Sequence, residues 1–307
     1  MISSHNNRTG ILLTLAFVLI GSAQEVYLGR LFQEEDPIIV MTVTFIITAI
    51  FFALVQSLRT EKIIQKTTEN LRTVIGLNIT TVISWIGFFL ALKHIEPAVV
   101  SMITFAVSPI LAVVFWRVLR PDQGILPLER YAAVGILAGL CILTVGTSLG
   151  RSAVGILPDG AGTRGLLWAL SSAVGVVGNT VYAKRLSEKG FSSTSVMAIR
   201  FPLLIGVGLF LWPGSQLIHL PFALFLVKMI FLATLTLIIP LFLFQLGIER
   251  CEPITITLVL SSMPVLTYGL QLFDSRLKPS TVTLVGIIVA LVAASVGVVG
   301  RSRKTAT

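Results

Sequence analysis

Two ionisable side chains lie well inside long apolar segments of the chain. Glu25 follows the apolar run that begins near residue 11, and Arg200 lies early in the run that begins near residue 193. At a helical rise of about 1.5 Å per residue, they would lie roughly 22 Å and 11 Å from the same face of a membrane. Burying a charge at this depth costs at least about 2.5–3.5 kcal/mol, so each is a candidate functional group. We expect both to face one polar cavity, with Glu25 as a proton-coupling carboxylate and Arg200 as an anchor for a substrate carboxylate.

Each of these side chains also has a purely structural interpretation. Arg200 would then extend to the membrane surface or bind carbonyl groups that Pro202 leaves without a partner. Glu25 would lie at the membrane interface beside Arg30.

Uncharged polar and aromatic side chains inside the apolar segments extend the candidate substrate-binding site. These residues are Gln24, Tyr27, Asn78, Trp85, Asn179, Tyr182, Gln245 and Tyr268. Membrane helices also use amide side chains to bind neighbouring helices, at around 0.6 kcal/mol each, so part of this set is expected to be structural. Pro109 and Pro264 each remove a backbone hydrogen bond from a helix and are candidate hinges.

The composition predicts helices that cross a membrane. Of 307 residues, 55% are hydrophobic and 12% are charged, and the mean hydropathy is +0.93, which excludes a water-soluble fold. Apolar runs of about 20 residues predict an all-α integral membrane protein with ten transmembrane helices. The predicted helices cover residues 11–30, 38–58, 73–92, 97–119, 130–149, 165–184, 193–212, 226–247, 253–273 and 280–300.

The net charge of +9 indicates orientation rather than a nucleic-acid partner. Most Lys and Arg residues fall in alternate connections between the apolar runs, which places both termini in the cytoplasm by the positive-inside rule. Cys141 and Cys251 lie in or beside apolar runs without a CxxC or Cys/His cluster. We therefore expect neither a metal nor another cofactor.

The chain contains an internal repeat. Gly10–Gln33 aligns with Gly165–Glu188 without a gap, and both segments contain Tyr-x-x-Arg-Leu. The pair Glu96-Pro97 recurs as Glu252-Pro253 at nearly the same offset. We therefore divide the chain into residues 8–150 and 163–301. Each half holds five predicted helices, an odd number, so the halves must have opposite orientations, as in carriers that work by alternating access.

These features resemble the EamA family of the drug/metabolite transporter superfamily. The resemblance rests on the layout of five plus five helices and on a set of motifs: Arg200-Phe201, Glu96-Pro97, Glu252-Pro253, Pro109, Pro264, and the glycine-spaced closing helices Gly135…Gly139…Gly146 and Gly286…Gly297. It implies a ten-helix carrier in a bacterial cytoplasmic membrane, often an exporter of amino acids, their derivatives or other small metabolites. The small-residue faces around Gly139 and Gly286 favour close helix packing within a monomer over a weak homodimer.

Three classes of function remain open. A secondary-active transporter, most simply an exporter of a small polar metabolite, requires the metabolite, the lipid bilayer and a coupling ion such as the proton as partners. A membrane-embedded lipid-modifying enzyme would need clustered His, Asp or Cys residues, whereas His5, His94 and His219 are isolated in the sequence. A passive channel would need charged rings or a filter-like loop. The sequence favours the transporter, with no enzymatic activity.

Overall fold

The computed structural model describes residues 4–59, 63–106, 111, 127–155, 160–212, 221–251 and 253–306. Within these ranges the regular structure is entirely helical. The first half contains α1 (Ser4–Leu31), α2 (Pro37–Ser57), α3 (Ile63–Glu69), α4 (Leu71–His94), α5 (Pro97–Ser101), a π-helical segment (Met102–Ala106) and α6 (Pro127–Ser148). The second half contains α7 (Ala161–Glu188), α8 (Ser193–Ile199), α9 (Pro202–Phe210), α10 (Phe222–Leu232), a second π-helical segment (Ala233–Ile238), α11 (Ile239–Arg250), α12 (Pro253–Leu260), α13 (Met263–Gln271) and α14 (Thr281–Ala306).

Six helical stretches in the described ranges are long and apolar enough to cross a membrane. They are Asn7–Leu31, Pro37–Ser57, Leu71–His94, Ala161–Glu188, Ser193–Phe210 and Ala223–Arg250. Val134–Ser148 and Thr281–Ala293 are shorter apolar helices. The structure thus confirms an all-helical protein with several membrane-spanning helices, whereas the count of ten stays a prediction.

Local sequence signals explain where several helices begin and end. Asp36 caps α2, where its Oδ1 accepts hydrogen bonds from the backbone N–H groups of Ile38 (2.8 Å) and Ile39 (3.3 Å), and Pro37 occupies the first turn. Gly190 follows α7 with a φ of +80°, a left-handed conformation that favours glycine and ends the helix. Such caps let short connections reverse the chain between spans.

Small residues bring two pairs of helices into close contact. A Cβ on Gly175 of α7 would meet the backbone N and Cα of Ser84 in α4, so only glycine allows these helices to approach this closely. In the α6–α14 pair, a Cβ on Gly139 would lie 2.8 Å from the carbonyl oxygen of Gly286 and 2.9 Å from the Cβ of Ala290. The small-residue faces predicted from the sequence therefore pack against each other within the chain.

Several helices are irregular in their middle. The predicted helix 193–212 is divided at Arg200 and Phe201, and the predicted helix 253–273 is divided at Ser261 and Ser262. Two π-helical segments add further irregularity, at Met102–Ala106 and Ala233–Ile238. Pro202, Pro240 and Pro264 each lie in the first turn that follows one of these irregular points. Proline lacks the N–H that would continue the preceding helix, so each of these residues fits a position where the helix is already interrupted.

Candidate substrate cavity

A cavity, with an empty volume of about 520 Å³ that includes space open to the surroundings, lies between the α8–α9 break, the start of α13 and the first π-helical segment. Both halves of the chain line it, through Phe17, Gly21, Gln24, Ser84, Trp85, Phe88, Phe105, Ser172, Val176, Asn179, Arg200, Leu241, Phe244 and Met263. Arg200 lies at the α8–α9 break, Met263 at the start of α13, and Phe105 in the first π-helical segment.

Among the described residues that line the cavity, Arg200 alone is charged. It is 1% exposed, and in the described ranges no carboxylate lies within 4.0 Å of its guanidinium. Its Nη1 lies 3.6 Å from the Met197 sulfur, and its guanidinium carbon lies 5.4 Å from the centre of the Phe201 ring. Neither contact neutralises the charge. An anionic ligand in the cavity would provide the missing bidentate partner.

Amide and hydroxyl groups form a second polar side of the cavity. Gln24, Ser84, Ser172 and Asn179 contribute them. The hydroxyl groups of Thr81 and Thr80 donate hydrogen bonds to Asn179 Oδ1 at 2.8 Å and 3.3 Å. Because these bonds fix the amide oxygen, the Nδ2 group of Asn179 remains as a donor for a ligand.

Aromatic rings form most of the remaining wall. Trp85 makes edge contacts with Phe88 and Phe89, with ring centroids 5.7 Å and 5.8 Å apart, and it also packs against Phe45. Phe17 and Phe244, which also line the cavity, are stacked with their ring centroids 4.7 Å apart. These contacts hold the rings in place, so the apolar part of the cavity is preformed.

Glu25 is fully buried but is not among the described residues that line this cavity. Its Oε2 accepts a 2.5 Å hydrogen bond from the Thr267 hydroxyl of α13, which lies 3.5 Å from the Ser101 hydroxyl of α5. Gln24, the preceding residue, does line the cavity. In this structure Gln24, and not Glu25, borders the cavity that Arg200 lines, because successive residues of α1 point to different neighbours.

The other residues predicted from the sequence are not among the described residues that line the cavity. Asn78 bonds to the backbone on both sides of the α8–α9 break. The Tyr268 hydroxyl donates to the Ser280 carbonyl oxygen at 3.1 Å. Gln245 is fully buried, and in the described ranges neither the nitrogen nor the oxygen of its amide has a hydrogen-bond partner. Tyr27 is 48% exposed, and Tyr182 packs against Arg185. Pro264 begins α13, next to a break, whereas Pro109 lies outside the described residues.

Sequence reasoning missed Ser84, Ser172 and the phenylalanine rings that line the cavity. A serine or phenylalanine within an apolar helix gives no signal of its own, because both residues are common in membrane helices. The only available signal was position: Ser84 adjoins Trp85, and Phe17 lies two turns before Gln24 on α1.

A second cavity, with an empty volume of about 890 Å³, lies at the end of α4. Lys93, His94, Glu96 and Arg276 contribute its ionisable groups. The Arg276 guanidinium donates hydrogen bonds to Asp274 and holds the pKa of that carboxyl below its usual value. Burial raises the pKa of Glu96, which accepts a hydrogen bond from the Ala153 N–H in the connection between the halves.

Comparisons with known proteins agree with this architecture. The sequence matches the EamA-like transporter family over residues 8–145 and 163–298. The chain belongs to this family. A solved structure described as "Crystal structure of protein" covers 97% of the EamA chain and 97% of its own length, with 19% identity and a TM-score of 0.61, a likeness in fold alone. No curated protein matches the chain. The family match confirms the resemblance seen in the sequence and identifies a multi-pass, transporter-like membrane protein.

Proposed function

We propose that this EamA chain is a secondary-active exporter of a small amphipathic metabolite that carries a carboxylate, such as an amino acid or a derivative. In this proposal the cavity is the substrate site and opens alternately to the two sides of the membrane. The observation that carries it is the buried guanidinium of Arg200, which has no carboxylate partner in the described ranges and borders a cavity with aromatic walls.

The charge of Arg200 sets the expected substrate chemistry. A guanidinium held away from water without a counter-ion is unfavourable, and a ligand carboxylate would relieve this cost through two parallel hydrogen bonds. Gln24, Asn179, Ser84 and Ser172 can bind a further polar group such as an amine. The rings of Trp85 and its neighbours suit an apolar or aromatic remainder.

Glu25 is the proposed proton site. Its carboxyl group is enclosed by protein, and it joins α1 to α13 through the Thr267 hydroxyl. A proton gained or lost there changes whether Glu25 donates or accepts hydrogen bonds, and so changes the contact between these two helices. Since α13 begins at the Ser261–Ser262 break, this contact links proton movement to cavity opening in the proposed mechanism.

The proposed orientation places both termini in the cytoplasm, in a bacterial cytoplasmic membrane. The alternation of basic connections along the sequence supports it. In this orientation, the second cavity lies on the outer side. Reporter fusions at the two termini would test the orientation, and termini on opposite sides of the membrane would contradict it.

The test is flux in liposomes with a matched pair of probes, L-phenylalanine and L-phenylalaninamide. Reconstituted protein should exchange L-phenylalanine with saturation and should transport the amide poorly, because the amide lacks the carboxylate. Flux that rises linearly with concentration would favour a passive channel, and chemical conversion of either probe or of the lipids would favour an enzyme. Equal saturable flux of both probes would contradict the role of Arg200. Binding can be followed separately by tryptophan fluorescence, with Trp85→Phe as the control for a signal from the cavity.

A further inference from the structure

The break between α8 and α9 contains an amide group from a different helix. Asn78 of α4 donates from Nδ2 to the carbonyl oxygen of Ile199 at 2.9 Å. Its Oδ1 accepts a hydrogen bond from the backbone N–H of Leu203 at 3.3 Å. Ile199 is the last residue of α8, and Leu203 is the second residue of α9.

These two backbone groups would bond to each other in a continuous helix. An α-helix pairs each N–H with the carbonyl four residues earlier, and Leu203 is four residues after Ile199. The Asn78 amide therefore replaces one helical hydrogen bond by two bonds to a side chain. Insertion of a side chain into the hydrogen-bond ladder is a recognised cause of sharp helix kinks.

Asn78 is held in place by its own helix. Its Nδ2 also donates to the Val74 carbonyl oxygen at 3.0 Å, one turn earlier on α4. Helix α4 in turn packs closely against α7 through Gly175, and Thr80 and Thr81 of α4 bind Asn179. The amide at the break therefore belongs to α4, which together with α7 forms one wall of the cavity.

Arg200 lies between the two backbone groups that Asn78 binds. We propose that Asn78 is a positioning residue: its amide holds the helix open between Ile199 and Leu203, and so keeps the Arg200 guanidinium at the cavity. Without this amide, the Leu203 N–H and the Ile199 carbonyl would bond directly, because buried backbone groups rarely remain unpaired. The helix would then straighten and move Arg200. The consequence for substrate binding rests on the proposed function, whereas the consequence for helix geometry does not.

Pro202 offers a competing explanation for the same break, because proline alone can kink a helix. The two explanations differ in what each substitution does. If Asn78 holds the break, Asn78→Leu straightens the helix and Pro202→Ala leaves it bent. If Pro202 is the sole cause, Pro202→Ala straightens the helix and Asn78→Leu does not.

The experiment measures the distance between spin labels at Val174 of α7 and Phe210 at the end of α9, both exposed. Cys141 and Cys251 are replaced by serine in every variant, and the protein is studied in lipid nanodiscs by electron spin resonance. A kink of more than about 20° acting over the roughly 13 Å of α9 shifts its far end by about 4 Å or more. We expect a shift of this size in Asn78→Leu and no shift in Pro202→Ala.

The control is Asn70→Leu, just before the same helix, where the amide donates to the Lys66 carbonyl oxygen at 2.9 Å and not to α8 or α9. It should leave the label distance unchanged. An unchanged distance in Asn78→Leu, or straightening in Pro202→Ala, would overturn the role of Asn78. If Asn78→Leu does not fold, Pro202→Ala still decides between the two causes.

Binding of L-phenylalanine and its amide completes the test. Asn78→Leu should weaken L-phenylalanine binding about tenfold or more, as expected for a lost hydrogen bond to a charged group, and should leave the amide unaffected. If the wild-type protein binds both probes equally, the proposed substrate class fails, but the label distances still test the role of Asn78. If the distance shifts and L-phenylalanine binding is unchanged, Asn78 holds the break without positioning Arg200, and the proposal fails.

Discussion

Replacement of Arg200 by methionine should stabilise the empty protein while it weakens substrate binding. A guanidinium near the middle of a membrane costs about 2.5–3.5 kcal/mol on insertion scales. Its contact with the Phe201 ring, 5.4 Å away, offsets about 0.5–2 kcal/mol of this cost. Methionine keeps an unbranched side chain that can pack against Met197 and Phe201 but carries no charge. We therefore expect Arg200→Met to raise the free energy of unfolding by about 0.5–3 kcal/mol.

The assay is reversible unfolding in mixed micelles, with Arg250→Met as the matched control. Arg250 lies in the last turn of α11, and its Nη1 donates to the Leu246 carbonyl oxygen at 2.9 Å. Loss of this favourable contact near a helix C-terminus should lower stability by about 0.3–1 kcal/mol. The two arginine replacements should thus act in opposite directions.

The same substitution should also weaken ligand binding. Arg200→Met should weaken L-phenylalanine binding about tenfold to a hundredfold, because hydrogen bonds to a charged group contribute about 1.5–3 kcal/mol. Binding of L-phenylalaninamide should change little. A destabilised Arg200→Met variant would mean that the guanidinium has a structural role, and an equal loss of both ligands would remove it from carboxylate recognition.

The remaining predictions concern the proton site, helix packing and the buried acid at the end of α4. Glu25→Gln should abolish the dependence of flux on a proton gradient and leave exchange measurable in liposomes, and proton dependence that persists would exclude Glu25 as the coupling group. Gly175→Ala should lower the unfolding free energy by about 1–3 kcal/mol, because its Cβ would collide with the α4 backbone. Gly206→Ala, with open space around the site, should raise it by about 0.5–1 kcal/mol, so equal effects in unfolding experiments would refute the packing argument. Since burial raises the pKa of Glu96 above its ordinary value of 4.5, wild-type stability should fall as the pH rises from that value through the folded-state pKa. Melting curves of Glu96→Gln should lack this fall, and parallel pH profiles of the two proteins would contradict it.

Hydropathy predicted the helical membrane fold, but it could not predict where the helices are interrupted. The runs 193–212 and 253–273 are apolar throughout, and each contains a break in the structure. At the first break, backbone groups on both sides bond to Asn78, more than 100 residues away in sequence. Mean hydropathy over a window depends on composition alone. It does not respond to a side chain inserted from another helix, and one proline changes it little.

The sequence predicted which residue types form the candidate site better than it predicted where each side chain points. The cost of burial singled out Arg200 and Glu25, and both are fully enclosed. The structure brings Gln24, Trp85, Asn179 and Arg200 to one cavity, whereas Glu25 turns towards Thr267. Side chains of adjacent residues on a helix point about 100° apart, so two successive residues contact different neighbouring helices. That direction is set by which helices pack together, and the sequence alone does not specify it.

The location of the breaks and the location of the buried charge have a common physical reason. An interrupted helix leaves backbone groups that need new partners, and an unpaired guanidinium needs a counter-ion, so both are tolerated only where the surrounding packing enforces them. The close glycine contacts of α4 with α7 supply that packing on one side of the cavity. Helix α9 packs closely on α2 where Gly208 meets Thr42, and Asn78 ties its first turn to α4. A carboxylate bound to Arg200 would therefore act at the break itself, where two bonds to a side chain replace one helical hydrogen bond, rather than on the packed helices on either side.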